Sequence, residues 1–302
     1  MAQKDVKNRI SSVKNIQKIT RAMEMVAAAR LRRAEQRIEA LRPYASAIRR
    51  MTREAAEAAG HVPNLPILDE HESVNSVGLL LVTGDRGLAG AFNSQIVRAG
   101  VRVAAEHEGE GRSLAWYASG RRGTSSLQFR GHEVVGSYTG FTDRPAYGNA
   151  RDIAQELMTA YVDGNVDRVE IVYNHYISPL TQRVTRETLL PLQQATILEA
   201  EDEEAAEGEQ ERDDAKRALV EYEPDPEDIL QRLIPAYVEI SIFRALLEST
   251  ASEHGARMTA MRNASQNAGD IIKDLTLQMN RERQAEITQE ILEVVSGAEG
   301  LT

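Results

Sequence analysis

The 302-residue chain contains no cysteine, which excludes disulfide bridges and thiol catalysis and points to a soluble intracellular protein. It has no apolar run approaching eighteen residues, so no membrane-spanning helix is expected. The start, MAQKDVKNRI, is basic but lacks the apolar core of a signal peptide. Asp5 and Glu24 fall inside a helical repeat, so neither a secretory nor a transit leader is expected. Proline is absent after Pro235, which leaves the C-terminal part with nothing to interrupt a helix.

Two long helical patterns frame the chain. At the C-terminus, apolar or small residues recur at helical spacing through Leu247, Ala251, Met258, Met261, Ala268, Ile272, Leu275 and Met279. This predicts a helix from Pro226 to Ser296. At 1.5 Å per residue it is roughly 100 Å long, too long to be buried by its own chain. Asp225 and Pro226 suit an N-cap and first turn, and Pro235 is expected to kink the helix early. Its end, NRERQAEITQEILEVVSGA, carries a dense set of charges, amides and hydroxyls with no cap, as a surface built to touch a partner would.

At the N-terminus, positions from Val6 through Ile10, Val13, Gln17, Thr20, Glu24, Ala27, Leu31, Ala34, Ile38, Leu41, Ala45, Ile48, Thr52, Ala55 and Ala59 alternate by four and three. That is a heptad seam, ended by Gly60 and Pro63. Beside its polar stretch, Ile16, Ile19, Met23 and Val26 form a second apolar flank, so one helix presents two faces. Both helices are accounted for if residues 1–60 and 226–298 pair as an antiparallel coiled coil. The net charge of -10 is uneven, since residues 1–59 carry fourteen Lys/Arg against six Asp/Glu. Without interleaved aromatics, this basic helix fits acidic protein surfaces better than nucleic acid.

Between the helices the period changes. Apolar runs at Ser76–Thr83, Ser113–Ala118, Glu133–Tyr138, Arg168–Asn174 and Val184–Leu192 predict strands, with helices over Asn93–Glu108 and Ala150–Asp163. The alternation predicts a central Rossmann-like α/β domain over residues 74–195. Its run VGLLLV is apolar on both faces, as a central parallel strand requires. The turn TGDRGLAGAFN (Thr83–Asn93) invites a phosphate by position. Its glycines lack dinucleotide spacing, no Gly-Lys-Ser/Thr follows, and Asp85 brings negative charge. A tight strand-to-helix turn is expected instead, with glycines at positive φ and Asn93 as the helix cap. The six histidines are scattered and His175 has no catalytic or metal-binding neighbours in sequence, so no catalytic set, metal or cofactor is expected. Glu199–Asp214, with ten acidic residues against one arginine, opens a linker over residues 199–221 that is expected to be solvated.

The segments NIQKITRAMEMVAAARLRRA, TGDRGLAGAFN, YEPDPEDILQRLIPAYVEISIFRALLES, SEHGARMTAMRNASQNAGDII and NRERQAEITQEILEVVSGA resemble the gamma subunit of bacterial F-type ATP synthases. The resemblance covers nearly the whole chain. It implies a central-stalk rotor that does no chemistry and binds no nucleotide directly. Its partners would be a hexamer of alpha and beta subunits, the epsilon subunit and the membrane c-ring, which would place the chain peripherally on the cytoplasmic side of the cell membrane. By this resemblance Arg283, Gln284, Thr288 and Glu290 match catch-loop contacts, and Lys18, Arg21, Met23, Arg30 and Arg33 face the beta subunits. The glycine loop departs locally from the family, having Gly84, Ala89, Gly90 and Ala91, and the thiol pair of chloroplast members is absent. The readings set against this one are a coiled-coil scaffold of another family and a nucleotide-binding α/β enzyme.

Overall fold

A computed structural model describes residues 3–59, 65–192 and 226–299. The expected stop at Gly60 and Pro63, the cap at Asp225 and the acidic segment 199–214 lie outside the described residues. Helix α1 spans Gln3–Ala59. The elements β1 (Ser76–Val82), α2 (Phe92–Gly109), β2 (Ser113–Ser119), α3 (Arg121–Phe129), β3 (Val134–Tyr138), α4 (Tyr147–Val162), β4 (Arg168–Tyr176) and β5 (Gln182–Leu190) follow, and α5 closes the chain at Pro226–Glu299.

The long helices pair along the expected seam. From Val6 to Ala55 every seam position of α1 is buried or half-buried, while the flank residues Ile16, Ile19 and Val26 are exposed. The polar seam positions find partners across it. Gln17 Nε2 donates to the Ser265 carbonyl at 3.3 Å, and Glu24 accepts from Arg262 Nε at 2.8 Å. Small side chains let the backbones approach at Ala27, Ala34 and Ala251. Two prolines sit inside helices, Pro43 in α1 and Pro235 in α5. Pro43 lacks the N–H that would reach back one turn, yet α1 continues through it, with Leu41 and Ala45 half-buried and Ile48 buried on either side.

The strands form one sheet in the order β3-β2-β1-β4-β5. The first four are parallel and β5 is an antiparallel edge. Leu80 and Val82 of β1 point into a core shared with α4 and the first turns of α5, whereas Leu79 and Leu81 point into a second core under α2. Alternation along a pleated strand thus feeds both cores. Helix α3 was not foreseen. It is short and polar, and only Gly123 and Leu127 of it are buried, so periodicity carries little signal there.

Candidate functional site

In an open α/β sheet, ligands bind beyond the carboxyl ends of the strands, where the strand order switches direction. Here that point lies between β1 and β4, and α5 fills it. Ser249 Oγ donates to the Val82 carbonyl at the end of β1, and Ser252 Oγ donates to the Asn174 carbonyl on β4, each at 3.2 Å. Thr250 Oγ1 donates to the Thr142 carbonyl at 2.9 Å. All residues from Ala245 to Gly255 are buried, an unusual continuous run that marks a helix enclosed on every side.

The glycine-rich turn meets this collar. A Cβ on Gly84 would stand 2.7 Å from the Glu253 carboxyl group, so only glycine lets the turn and α5 approach so closely. Gly90 takes a positive φ of 56°, as expected, but so does Leu88 at 63°, whereas Gly84 and Gly87 do not. Asn93 is not the helix cap. It is the second residue of α2, and its side chain reaches back into the turn, accepting from Gly84 N at 2.8 Å and donating to the Arg86 carbonyl at 3.2 Å. The turn is therefore pinned from inside the helix, a tertiary use of the amide that a capping rule does not anticipate.

Asp85 serves the start of α3 rather than the start of α2, where the turn leads. Its carboxylate accepts from Arg121 N at the start of α3 (3.1 Å), from Gly140 N (2.8 Å) and from Thr142 Oγ1 (3.0 Å). The negative charge that a phosphate would bring to this helix start is supplied by the chain itself.

The collar is also an electrostatic junction. Arg257 donates to Glu253 at 2.5 Å and to the Gly87 carbonyl at 3.3 Å. Burial pushes the Glu253 carboxyl above its ordinary range, the Arg257 charge opposes this, and Asp143 and Asp85 add to it; Glu253 Oε2 is buried without a hydrogen-bond partner. Burial and the Arg257 charge lower His254 to about 4, against the pull of Asp143. Asp143 gathers Arg30 from α1, Arg86 from the turn and His254 from α5. One carboxylate thereby ties the shaft to its base.

The predicted contact residues fall into two groups. Arg283, Gln284, Thr288 and Glu290 are all exposed near the end of α5, with Thr288 Oγ1 donating only to the Gln284 carbonyl within the helix. Lys18, Arg21 and Arg33 are exposed on α1, and Met23 is half-buried. Arg30 is half-buried and paired with Asp143 of its own chain, so its charge is engaged inside the molecule. The tip also carries an apolar component beside its polar groups. Ile287, Ile291 and Val294 repeat at helical spacing and are exposed, Val294 to 73%. Their i, i+4, i+7 spacing was readable in the sequence as a stripe outside the seam.

A two-helix shaft rising from an α/β base whose ligand crevice is closed by that same shaft defines a stalk-type subunit. Residues 2–301 match the family model for ATP synthase. The chain is 42% identical over 299 residues to the ATP synthase gamma chain of Streptomyces avermitilis, covering 98% of this chain and 94% of that one. It is also 42% identical over 298 residues to the gamma chain of Rubrobacter xylanophilus, covering 99% and 98%. Among solved structures it resembles a chain of the Tetrahymena thermophila mitochondrial ATP synthase central stalk and c-ring, with a TM-score of 0.59 at 26% identity over 82% of this chain and 99% of that one. A Euglena gracilis mitochondrial ATP synthase chain has a TM-score of 0.69 at 17% identity, covering 99% and 94%, a likeness of fold alone. The chain belongs to the ATP synthase gamma-chain family. It is thus of a kind with subunits of a membrane-bound complex, and among its described residues no helix is long and apolar enough to cross a membrane.

Proposed function

We propose that this chain is the central rotor shaft of a proton-translocating F-type ATP synthase, a non-catalytic subunit carried peripherally on the cytoplasmic face of the cell membrane. The observation that carries the reading is the continuity of α5. One helix starts in the sheet domain, passes through the buried collar at Ser249–Arg257 and continues to the exposed tip. Torque applied to the α/β base by a c-ring and the epsilon subunit reaches the tip without crossing a loop. Paired helices sharing a seam resist bending and untwisting better than one.

The tip and the exposed flank of α1 are the surfaces offered to a ring of alpha and beta subunits. Arg283, Gln284, Thr288 and Glu290 supply exchangeable charge-assisted hydrogen bonds to catch loops. Lys18, Arg21, Met23 and Arg33, beside exposed Ile16 and Ile19, face the beta subunits. By presenting a different face to each catalytic subunit, the shaft couples its rotation reciprocally to nucleotide affinity at distant sites. The glycine turn holds no nucleotide in this reading, because α5 closes the crevice and Asp85 brings negative charge beside it.

The test replaces Arg283, Gln284 and Thr288 together by alanine in the assembled complex. Alanine preserves the helix, so yield should be unchanged while proton-driven ATP synthesis falls. Normal yield with normal synthesis would refute the contact assignment.

A further inference from the structure

A cleft of about 470 Å³ opens between α1 and the loop leading from β3 into α4, lined by Arg30, Arg33, Arg37, Asp143, Arg144 and Thr250 among others. Its charge is unbalanced. The carboxylate of Asp143 is already engaged by Arg30. Arg37 donates to the Pro145 carbonyl, a neutral acceptor. Burial lowers the Arg37 pKa, and the charge of Arg144 lowers it further. Like charges held together at a half-buried site are unfavourable unless an anion joins them.

We propose that this cleft binds a polyphosphate-type oxyanion between Arg33, Arg37 and Arg144. Arg33 and Arg37 are four residues apart on α1, so their side chains rise from one face of the helix, and Arg144 approaches from the opposite wall. Three planar guanidiniums spread over two walls suit a chain of phosphate groups better than a single phosphate, because each fork takes a separate pair of oxygens. Among the described residues no aromatic side chain lines the cleft, so a nucleobase would add nothing to the binding of the phosphates. Anchoring of Arg37 on Pro145 fixes one fork in advance, which lowers the ordering cost of binding. Such an anion would bridge α1 to the α/β base beside Asp143, stiffening the junction of shaft and sheet.

The full chain is titrated calorimetrically with tripolyphosphate, pyrophosphate, inorganic phosphate and metal-free ATP. Tripolyphosphate should bind at a single saturable site, more tightly than pyrophosphate or phosphate, and ATP should bind no tighter than tripolyphosphate. The double variant Arg33→Gln, Arg144→Gln changes only exposed side chains and should keep its helicity and melting temperature. It should bind tripolyphosphate about tenfold or more weakly, since two charge-assisted contacts are lost. The control Lys18→Gln, Arg21→Gln lowers the charge of the same helix outside the cleft and should bind within about twofold of the parent. Absence of saturable binding, equal weakening in both double variants, or markedly tighter binding of ATP than of tripolyphosphate would each overturn the proposal. Arg33 also belongs to the face assigned above to the beta subunits, but the titration uses the chain alone, so its outcome does not depend on that assignment.

Discussion

The carboxyl group of Glu253 lies 2.7 Å from the point where a side chain on Gly84 would begin. Shaft and base are in contact there without room for a methyl group. Gly84→Ala must therefore push α5 away from the turn or force Glu253 out of its pairing with Arg257. The expected loss is about 1–3 kcal/mol, the usual range for overpacking a filled interior. Urea unfolding of the full chain measures it, and an unchanged midpoint would show that the junction is loose.

The acid sensitivity of the fold should be traceable to His254. Its folded pKa is depressed to about 4, against an ordinary value of 6.5. The neutral ring is therefore favoured in the folded state, and its contribution is complete above pH 6.5 and lost as pH falls toward 4. The groups facing it are Arg257 on its own helix, Arg30 on α1 and Asp143 on the β3–α4 loop. Glu253, raised by burial, works in the opposite sense, losing its contribution as pH rises through its folded value. His254→Gln should flatten the decline in stability between pH 6.5 and 4 by up to ~3 kcal/mol. Unfolding free energies at several pH values decide this; parallel curves for parent and variant would refute it.

Charge placed in the seam should cost most where the seam is tightest. Leu31 is only 4% exposed, packed with Ala27 and Ala251, whereas Leu275 near the tip is half-buried. Leu31→Asp should destabilise the chain by about 3–5 kcal/mol and prevent assembly. Leu275→Asp should cost clearly less in the isolated chain. Comparable losses at both sites would mean that the pairing is uniform along the shaft.

A second buried charge cluster holds the base. Arg186 grips Glu170 with two hydrogen bonds, of 2.7 and 2.9 Å, and His107 Nε2 lies 3.2 Å from the same carboxylate. Burial raises the Glu170 pKa, but these bonds and charges outweigh it, so the carboxyl titrates below its ordinary value. Glu170→Ala leaves Arg186 and His107 without their shared acceptor and should cost roughly 3–5 kcal/mol near neutral pH. Because the Glu170 contribution is present above its unfolded pKa and lost as pH falls through the folded one, the difference should shrink in acid. A constant difference would place the effect in packing alone.

The seam, the sheet and the family were legible because each rests on a repeating pattern. Heptad spacing from Val6 to Ala55 and the doubly apolar VGLLLV survive in the structure as buried faces. What escaped were features set by contacts between distant segments. Nothing near Arg30 in sequence announces Asp143, and nothing around Asn93 shows that Gly84 will need its amide oxygen. The stripe Ile287–Ile291–Val294 was visible in principle, but the polar residues between its members dominated the composition of the segment.

Gln17 of α1 lies against Ser265 and Gly269 of α5. In an antiparallel pair, that register sets Gln3, the first described residue of α1, near Arg281, so among the described residues α5 runs unpaired from about Arg283 to Glu299. Roughly 25 Å of it stands alone. Among the described residues no second helix flanks that overhang, so its whole circumference is open. It is a pin whose angle is set by the paired shaft below it and whose entire circumference is left for a surrounding socket to read.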